Sequence, residues 1–482
     1  MLGEAPTSYA KGNAVHDSFA RLTTVHGVHF VTVENNVGYK ISGHNIFVED
    51  GIETNNVIKD NLIISSRAAT NMMQTDTSVA SIWVTHPTND VHGNHAAGSD
   101  FYGIWYEIKE HPDGPSATTG VCPIGNPLGK VEKNVAHSNT RFGLRIDEMY
   151  ATRYPCRDVR DDSNTADPWL SNPSIANTFK DFTIWKNMED GVIAEETGNV
   201  HFDNFVVAES WKAGFQFLEN NYTKEMTTIK NSIIIGESHH VEAGNNNYTN
   251  SSAIWTGKNG AIWVENVLIK NFGITNMSSG VIKTCTECDN PLKYSNRGTE
   301  LFLDGITFEN ITGNYLHMVG SGIKRDVIFD LKGSLVSAFN APSGSLSAGS
   351  KVTITHNWPH LTAGGKCHPP TTPDNWDNAI MCERDVEIRR VQFTNMQKHQ
   401  NFKVMKLRTA LIDSLTTSVP MADANVSFSE VYHRLDGTSK DSKDKAYGWS
   451  LPFAIGSIYN IWWGSGVDWT HMAVESHMNS SD

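Results

Sequence analysis

FTIWKNMEDGV, from Phe182 to Val192, is answered 23 residues later by FVVAESWKAGF, from Phe205 to Phe215. Both carry an aromatic start, an apolar run, a polar turn and a Gly followed by an apolar residue. One coil of a parallel β-helix needs about that much chain, and a coil cannot bury its inward face until a neighbour stacks on it. Working outward, Asn or Ser stands four residues before such a Gly at Ser99/Gly103, Asn139/Gly143, Asn187/Gly191 and Ser210/Gly214. A looser echo, ENNVGYK at Glu34 and TNNVIKD at Thr54, recurs at 20 residues, and IKNSIIIGES, VENVLIKNF, LDGITFENIT and IRRVQFTN continue the theme. At the turns Asn tolerates left-handed backbone and its amide can pair with the next coil, while Gly takes positive φ.

The expected fold is therefore all-β: a right-handed parallel β-helix over residues 1–400, with inserted loops at about 107–130 and 151–175. HPDGPSATTGVCPIGN from His111 and the polar stretch from Arg153 to Asn172 supply those insertions. A propeller would repeat nearer to about 40–50 residues. From Phe402 the character changes, and residues 401–482 read as a small β-sandwich-like module. Its Trp462, Trp463 and Trp469 are read as aromatic core or, alternatively, as a sugar-stacking platform.

Composition supports strands over helices. Hydrophobic residues make up 39% and charged residues 19%, with 38 glycines. No run approaches the roughly 18–20 apolar residues of a membrane span, and the start lacks a basic segment followed by an apolar one. Neither an anchor nor a signal peptide is expected within these residues, and the chain is read as a segment of something longer. A net charge of −14 repels nucleic acid and anionic surfaces at long range. A polyanion would need a local patch, for which Lys130, Lys133, Arg141 and Arg145, with His137 between them, are the candidates; the plain alternative is scattered solvated charge. Six cysteines and N-x-S/T sequons at Asn221, Asn247, Asn250, Asn276, Asn310, Asn425 and Asn479 point to the secretory route.

The densest polar cluster is His16, Arg21, His26, His29, His44, Glu49 and Asp50. Stacked coils could bring Arg21, His44 and Glu49 to one lateral groove. A glycosidase needs two carboxylates, about 5–5.5 Å apart for retention or about 6.5–9.5 Å for inversion. Glu49 and Asp50 would face opposite ways on a regular strand, so Glu49 with Asp113 or Asp147, from different coils, is the better pair. A lyase would use His44 or His137 as base beside an arginine. The competing reading has these groups as turn caps and ladders, with His26 in TTVHGVHF and Asp113 in HPDGPS fixing loops. Cys285 and Cys288 in KTCTECDN lack two further ligands for zinc, and His239-His240 and His92/His95 lack a third. No metal and no cofactor is expected, with Ca2+ left open but unsupported. GxSxG, P-loop, Rossmann and HExxH patterns are absent.

SFARLTTVHG (Ser18 to Gly27), ENNVGYKISGHNIFVEDGIETNNVI (Glu34 to Ile58), GIWYEIKEHPDGPS (Gly103 to Ser116) and NVAHSNTRFGLRI (Asn134 to Ile146) resemble the fibrocystin-L and cell-migration-inducing hyaluronan-binding protein family. IKNSIIIGES, DLKGSL and the Cys367 to Cys382 segment extend the likeness, and GVDWTHM looks more like fibrocystin-L. The resemblance implies an extracellular or cell-surface β-helix from a larger protein that also carries G8 and, in fibrocystin-L, immunoglobulin-like modules. It implies a scaffold or recognition role with carbohydrate, such as hyaluronan, as partner. A hyaluronan-depolymerising hydrolase is the alternative, and a structural spacer the third. It also implies a Cys367–Cys382 disulfide. Cys122 with Cys156 and Cys285 with Cys288 are further pairings.

Overall fold

The computed structural model describes residues 3–70, 72–150, 174–218, 225–237, 251–257, 260–273, 280–284, 299–318, 326–339 and 346–357, most of 359–395, and the backbone of six strands between Met405 and His477. Three parallel sheets wrap one apolar interior, each coil giving one strand to each sheet. The long sheet runs from Tyr9–Lys11 to Val327–Asp330, the second sheet from Ala14–His16 to Thr307–Ile311, and the third from Thr23–Val25 to Leu316–Met318.

The 23-residue repeat is a coil. Thr183, Ile184 and Trp185 pair in register with Val206, Val207 and Ala208, and Val192 pairs with Phe215. The rings of Phe182 and Phe205 stack at 4.9 Å, nearly coplanar. Ile184, Val207 and Ile234 are the inward middle residues of three-residue strands in the second sheet, and with Ile269 of the strand Leu268–Phe272 they form one continuous interior column. Such alternation is what a period of two requires when one face is dry.

At the corner between the long and second sheets the expected Asn ladder is present, with its two jobs divided between neighbours. Asn35, Asp60 and Lys133 take the left-handed backbone. The next residues, Asn36, Asn61 and Asn134, are buried and carry the amide ladder, in which Asn36 bonds Asn61 and Asn61 bonds Asn94. Phe182 and Phe205 occupy this same corner two and three coils beyond Asn94, because each directly precedes its second-sheet strand just as Asn134 does.

Two expectations need correction. The 20-residue echo does not align stacked positions: Asn36 pairs with Asn61, 25 residues on, whereas Asn56 pairs with Asn89, 33 residues on. The two Asn-Asn pairs are two different corners of one winding. Nor do Gly103, Gly143 and Gly191 adopt positive φ. A Cβ at Gly143 would lie 2.8 Å from the Gly191 carbonyl oxygen and 2.5 Å from Ile184, so glycine is needed there for close approach between coils.

Parallel pairing ends at Asp330. The long sheet continues antiparallel through Val352–His356, Ala379–Cys382 and Cys367–His368. Cys367 and Cys382 face one another on the last pair and form the disulfide that the resemblance implied. Cys122 is buried; Cys156, Cys285 and Cys288 lie outside the described residues. The strand Ile388–Asn395 pairs antiparallel with Lys445–Ala454 and Met472–His477, so antiparallel partners of the C-terminal strands begin before residue 400. Met405–Ile412 joins Ser418–Val426 and Ile458–Trp463 in a second antiparallel sheet, with Trp462 and Trp463 on its last strand. Trp469 lies outside the described residues. The first inserted loop leaves the third sheet after Glu107 and returns at Val131. The second falls at residues 151–173, which are not described. No described helix is long and apolar enough to cross a membrane.

Candidate functional site

On the third sheet three strands carry the same pattern: Gly103-Ile-Trp-Tyr-Glu107, Gly143-Leu-Arg-Ile-Asp147 and Gly191-Val-Ile-Ala-Glu195. Because the glycines stack, so do the acids: Glu107 is in register with Asp147, and Asp147 with Glu195. Alternation sends Ile104, Leu144 and Val192 into the interior. It leaves Trp105, Arg145 and Ile193 as an outward row beside the carboxylates. Adjacent strands lie about 4.8 Å apart, which fixes the spacing of this carboxylate ladder to first order.

Trp105, Arg145 and the carboxylates line a cavity of about 300 Å3, with Lys109 at its edge, while Ile193 packs into the aromatic cluster around Tyr102 and Phe142. The Trp105 indole N–H donates to Asp147 Oδ2 at 2.6 Å, and the Arg145 guanidinium lies 3.0 Å from the same oxygen and 3.6 Å from Glu195. Arg145 also donates to the Tyr102 hydroxyl at 2.7 Å and stacks over Trp105. Lys109 is 3.4 Å from Glu107. Burial raises the Glu107 carboxyl above its usual range, reinforced by Asp147 and opposed by Lys109. Burial likewise raises Asp147 against the pull of Arg145. Glu195 is pushed up to about 7 by burial and then by the Asp147 charge. The ladder thus holds a carboxyl that carries its proton near neutrality, next to carboxylates one and two strands away, with a cation able to offset charge.

The residues expected from sequence take other places. Arg21 and His44 do converge, but on Asp76, which sequence reading missed: Arg21 forms a bidentate ion pair with it, with Nη2 2.9 Å from Oδ2, and covers the Phe47 ring at 4.0 Å. His44 is fully buried, stacked 4.6 Å from Trp83, and its Nδ1 accepts the Ala80 N–H at 3.0 Å. Glu49 turns instead to His26 at 2.8 Å. Asp50 reaches the same imidazole at 3.8 Å, because the strand Ile46–Val48 has already ended and no regular pleat separates the two acids. Asp113 is exposed and faces Lys109 at 3.4 Å. Glu49 does not line the cavity; Asp147 does.

The five basic candidates do not gather. Lys130 and Lys133 pair with Glu132 at the long sheet. His137 stacks on Trp185 on the second sheet at 4.1 Å, its Nε2 2.9 Å from that of His95. Arg141 and Arg145 alone come together, both donating to the Tyr102 hydroxyl at 3.4 and 2.7 Å, with Arg141 paired to Glu189 at 2.7 Å and Arg145 lining the cavity. Of the sequons, Asn310 is exposed on its strand and bonds Asn271, and Asn425 lies on the strand Ser418–Val426. Asn221, Asn247, Asn250, Asn276 and Asn479 lie outside the described residues.

His44 makes one prediction. Burial holds its imidazole down at about 3, against an ordinary value of 6.5. The folded state keeps it neutral while the unfolded chain protonates it, so its contribution is intact above pH 6.5. That contribution is lost at about 1.4 kcal/mol per pH unit as the pH falls toward 3. His44→Asn, which keeps an acceptor for the Ala80 N–H, is expected to flatten the fall of the urea midpoint between pH 6.5 and 4 while lowering it at pH 7.5. An unchanged slope would contradict this.

Residues 1–144 match the family model described as CEMIP beta-helix. Fibrocystin-L of Mus musculus is 36% identical over 217 residues, covering 45% of this chain and 5% of that protein. The cell migration-inducing and hyaluronan-binding protein of Mus musculus is 29% identical over 283 residues, covering 50% and 20%. Cell surface hyaluronidase CEMIP2 of Homo sapiens is 26% identical over 300 residues, covering 52% and 21%. The chain thus spans a small part of these relatives' length. Among solved structures, the A-module of mannuronan C-5 epimerase AlgE4 from Azotobacter vinelandii aligns with 65% of this chain and 79% of its own at 10% identity, with a TM-score of 0.34.

Proposed function

We propose, proceeding from a first 144 residues that carry the CEMIP-type β-helix, that the third-sheet cavity binds an extended extracellular polysaccharide of the hyaluronan class. The observation that carries this is the outward row itself: Trp105 lines the cavity with its indole, Arg145 offers a guanidinium and Glu107, Asp147 and Glu195 acceptors, all on rigid strands. A linear glycan presents partners for these groups at regular intervals: ring faces for Trp105, hydroxyls for the acids and carboxylates for Arg145. Relatives named for hyaluronan binding and hyaluronidase activity support the substrate class, and an extracellular site of action follows from the same reading.

The cavity is rich in acids, so a polyanionic sugar meets repulsion when all are charged. Glu195, raised to about 7, and Glu107 and Asp147, both raised, lose that charge as the pH falls. Calorimetric titration of the full chain with hyaluronan oligosaccharides is expected to show saturable binding that tightens from pH 7.5 to 5.5. Arg145→Ala should weaken it by about tenfold, the value of one charge-assisted hydrogen bond. No binding at either pH, or equal binding by Arg145→Ala, would refute the assignment.

A second reading, hydrolysis of the bound chain, is favoured by one specific feature: a carboxyl protonated near neutrality beside a second carboxylate one strand away.

A further inference from the structure

Two and three coils before the inserted loop leaves the third sheet, three metal-ligating side chains meet that sequence spacing would not join. His26 and Glu49 are 23 residues apart, one turn of the winding, and their Nδ1 and Oε2 atoms are 2.8 Å apart. Asp50 Oδ2 lies 3.8 Å from the same nitrogen. One donor atom from each residue falls within 4.8 Å of the others.

A second observation makes this more than a polar cluster. The Asp50 side chain is 3% exposed, and its Oδ2, turned toward His26, has no hydrogen-bond partner. A buried carboxylate oxygen without a partner carries a large desolvation cost. Its backbone is meanwhile held on both sides. Glu53, fully buried, accepts the N–H groups of Gly27, Asp50 and Gly51 at 2.9, 3.1 and 3.1 Å. The Asp113 N–H donates to the Asp50 carbonyl at 3.0 Å. Gly114 packs so closely that a Cβ there would lie 2.8 Å from Asp50 Oδ1. Rigid backbone thus presents an unsatisfied oxygen to an imidazole and a second carboxylate, while His26 and Glu49 stay open to solvent at 40% and 21% exposure.

We propose that His26, Glu49 and Asp50 bind one divalent cation of the zinc class. Three protein ligands with one imidazole nitrogen, and a remaining position open to water, match zinc's low coordination number. Calcium would require six to eight oxygens, about twice what these three side chains offer. The cation supplies the partner that Asp50 Oδ2 lacks. It also ties the inserted segment at Asp113–Gly114 to the coil beneath, and Glu53 acts as a positioning residue that sets His26 and Asp50 at their separation.

The test is calorimetry and native mass spectrometry of the full chain, stripped with chelator and titrated with zinc chloride or calcium chloride. The expected result is saturable uptake of zinc that is lost by more than about tenfold in Glu49→Gln and Asp50→Asn, and falls by about 10–100-fold in Glu53→Gln. Glu49→Gln, partly exposed, should keep the wild-type circular dichroism and thermal midpoint in chelator, which separates lost binding from lost folding. His137→Ala controls for zinc captured between His95 and His137 and should leave uptake intact. No saturable zinc uptake overturns the proposal. So does uptake abolished by His137→Ala but indifferent to Glu49→Gln, or a preference for calcium.

Discussion

Asn61→Ala is expected to lower the stability of the β-helix by about 2–6 kcal/mol, seen as a large drop in urea midpoint, although it removes only a short polar side chain. Asn61 Oδ1 accepts from both the backbone and side-chain N–H of Asn36, at 3.0 and 2.9 Å. Its Nδ2 donates to the Val33 carbonyl at 3.0 Å and to Asn94 Oδ1 at 2.9 Å. Asn61 is buried, so truncation strands the Asn36 backbone N–H and the Val33 acceptor away from water, at about 1–3 kcal/mol each, while Asn36 Nδ2 keeps its bond to the Ala10 carbonyl. A solenoid transmits stability between nearest neighbours, so the loss should uncouple the first coils from the rest. Asn61→Asp sharpens the test. The carboxylate keeps both acceptors but turns an oxygen on the Val33 carbonyl and Asn94 Oδ1, so it should be as damaging at pH 7 and recover part of the loss where it protonates. Asn13→Ala, at the exposed end of the same ladder, should cost far less because water can replace its bond to Asn36. Equal effects at residues 13 and 61 would mean that the ladder is not what couples the coils.

The winding was legible because the interior repeats chemistry at fixed positions, and Phe182 over Phe205 could be read from spacing alone. Insertions obscured the rest: stacked partners Asn94 and Asn134 are 40 residues apart and Asn139 and Asn187 are 48, so periodicity survives only where loops are short. The candidate site was present in the same motif. Reading four residues past each stacked glycine gives Glu107, Asp147 and Glu195 directly. Attention to the His-rich opening missed Glu107 and Glu195 and set Asp147 beside Glu49, because polar density in sequence says nothing about which residues share a face. His44 shows the cost: its imidazole belongs to an aromatic stack with Phe47 and Trp83, shielded from any groove. The basic patch failed for a related reason. Neighbours in sequence such as Lys133, His137 and Arg141 are carried to different sheets by one passage around the coil, and pair locally with Glu132, His95 and Glu189.

Glu195→Gln is expected to abolish shortening of high-molecular-weight hyaluronan, by about 10²–10⁴-fold, the contribution of a positioned general acid, while leaving oligosaccharide binding within a few fold. Glu195 suits the acid role because burial and the Asp147 charge keep its proton to about pH 7. Asp147 lies one strand away, at about the 4.8 Å strand spacing, close to the roughly 5–5.5 Å of enzymes that act through a covalent intermediate. Glu107, two strands from Glu195 at about 9.6 Å, sits at the far limit for activating a water. The two routes differ in stereochemistry and in variant sensitivity. Asp147→Asn should eliminate turnover with retention of configuration, whereas loss confined to Glu107→Gln would signal inversion. The pH profile has a determined sign: activity requires protonated Glu195 and should fall as the pH rises through about 7, and the Gln variant should lose that limb along with the activity. Viscometry and sizing of hyaluronan incubated with the full chain at pH 5.5 and 8 measure all of this. Binding without shortening at either pH would leave the ladder as a recognition surface, in which Arg145 and Trp105 dominate and the raised carboxyls serve only to make the grip tighten in acid.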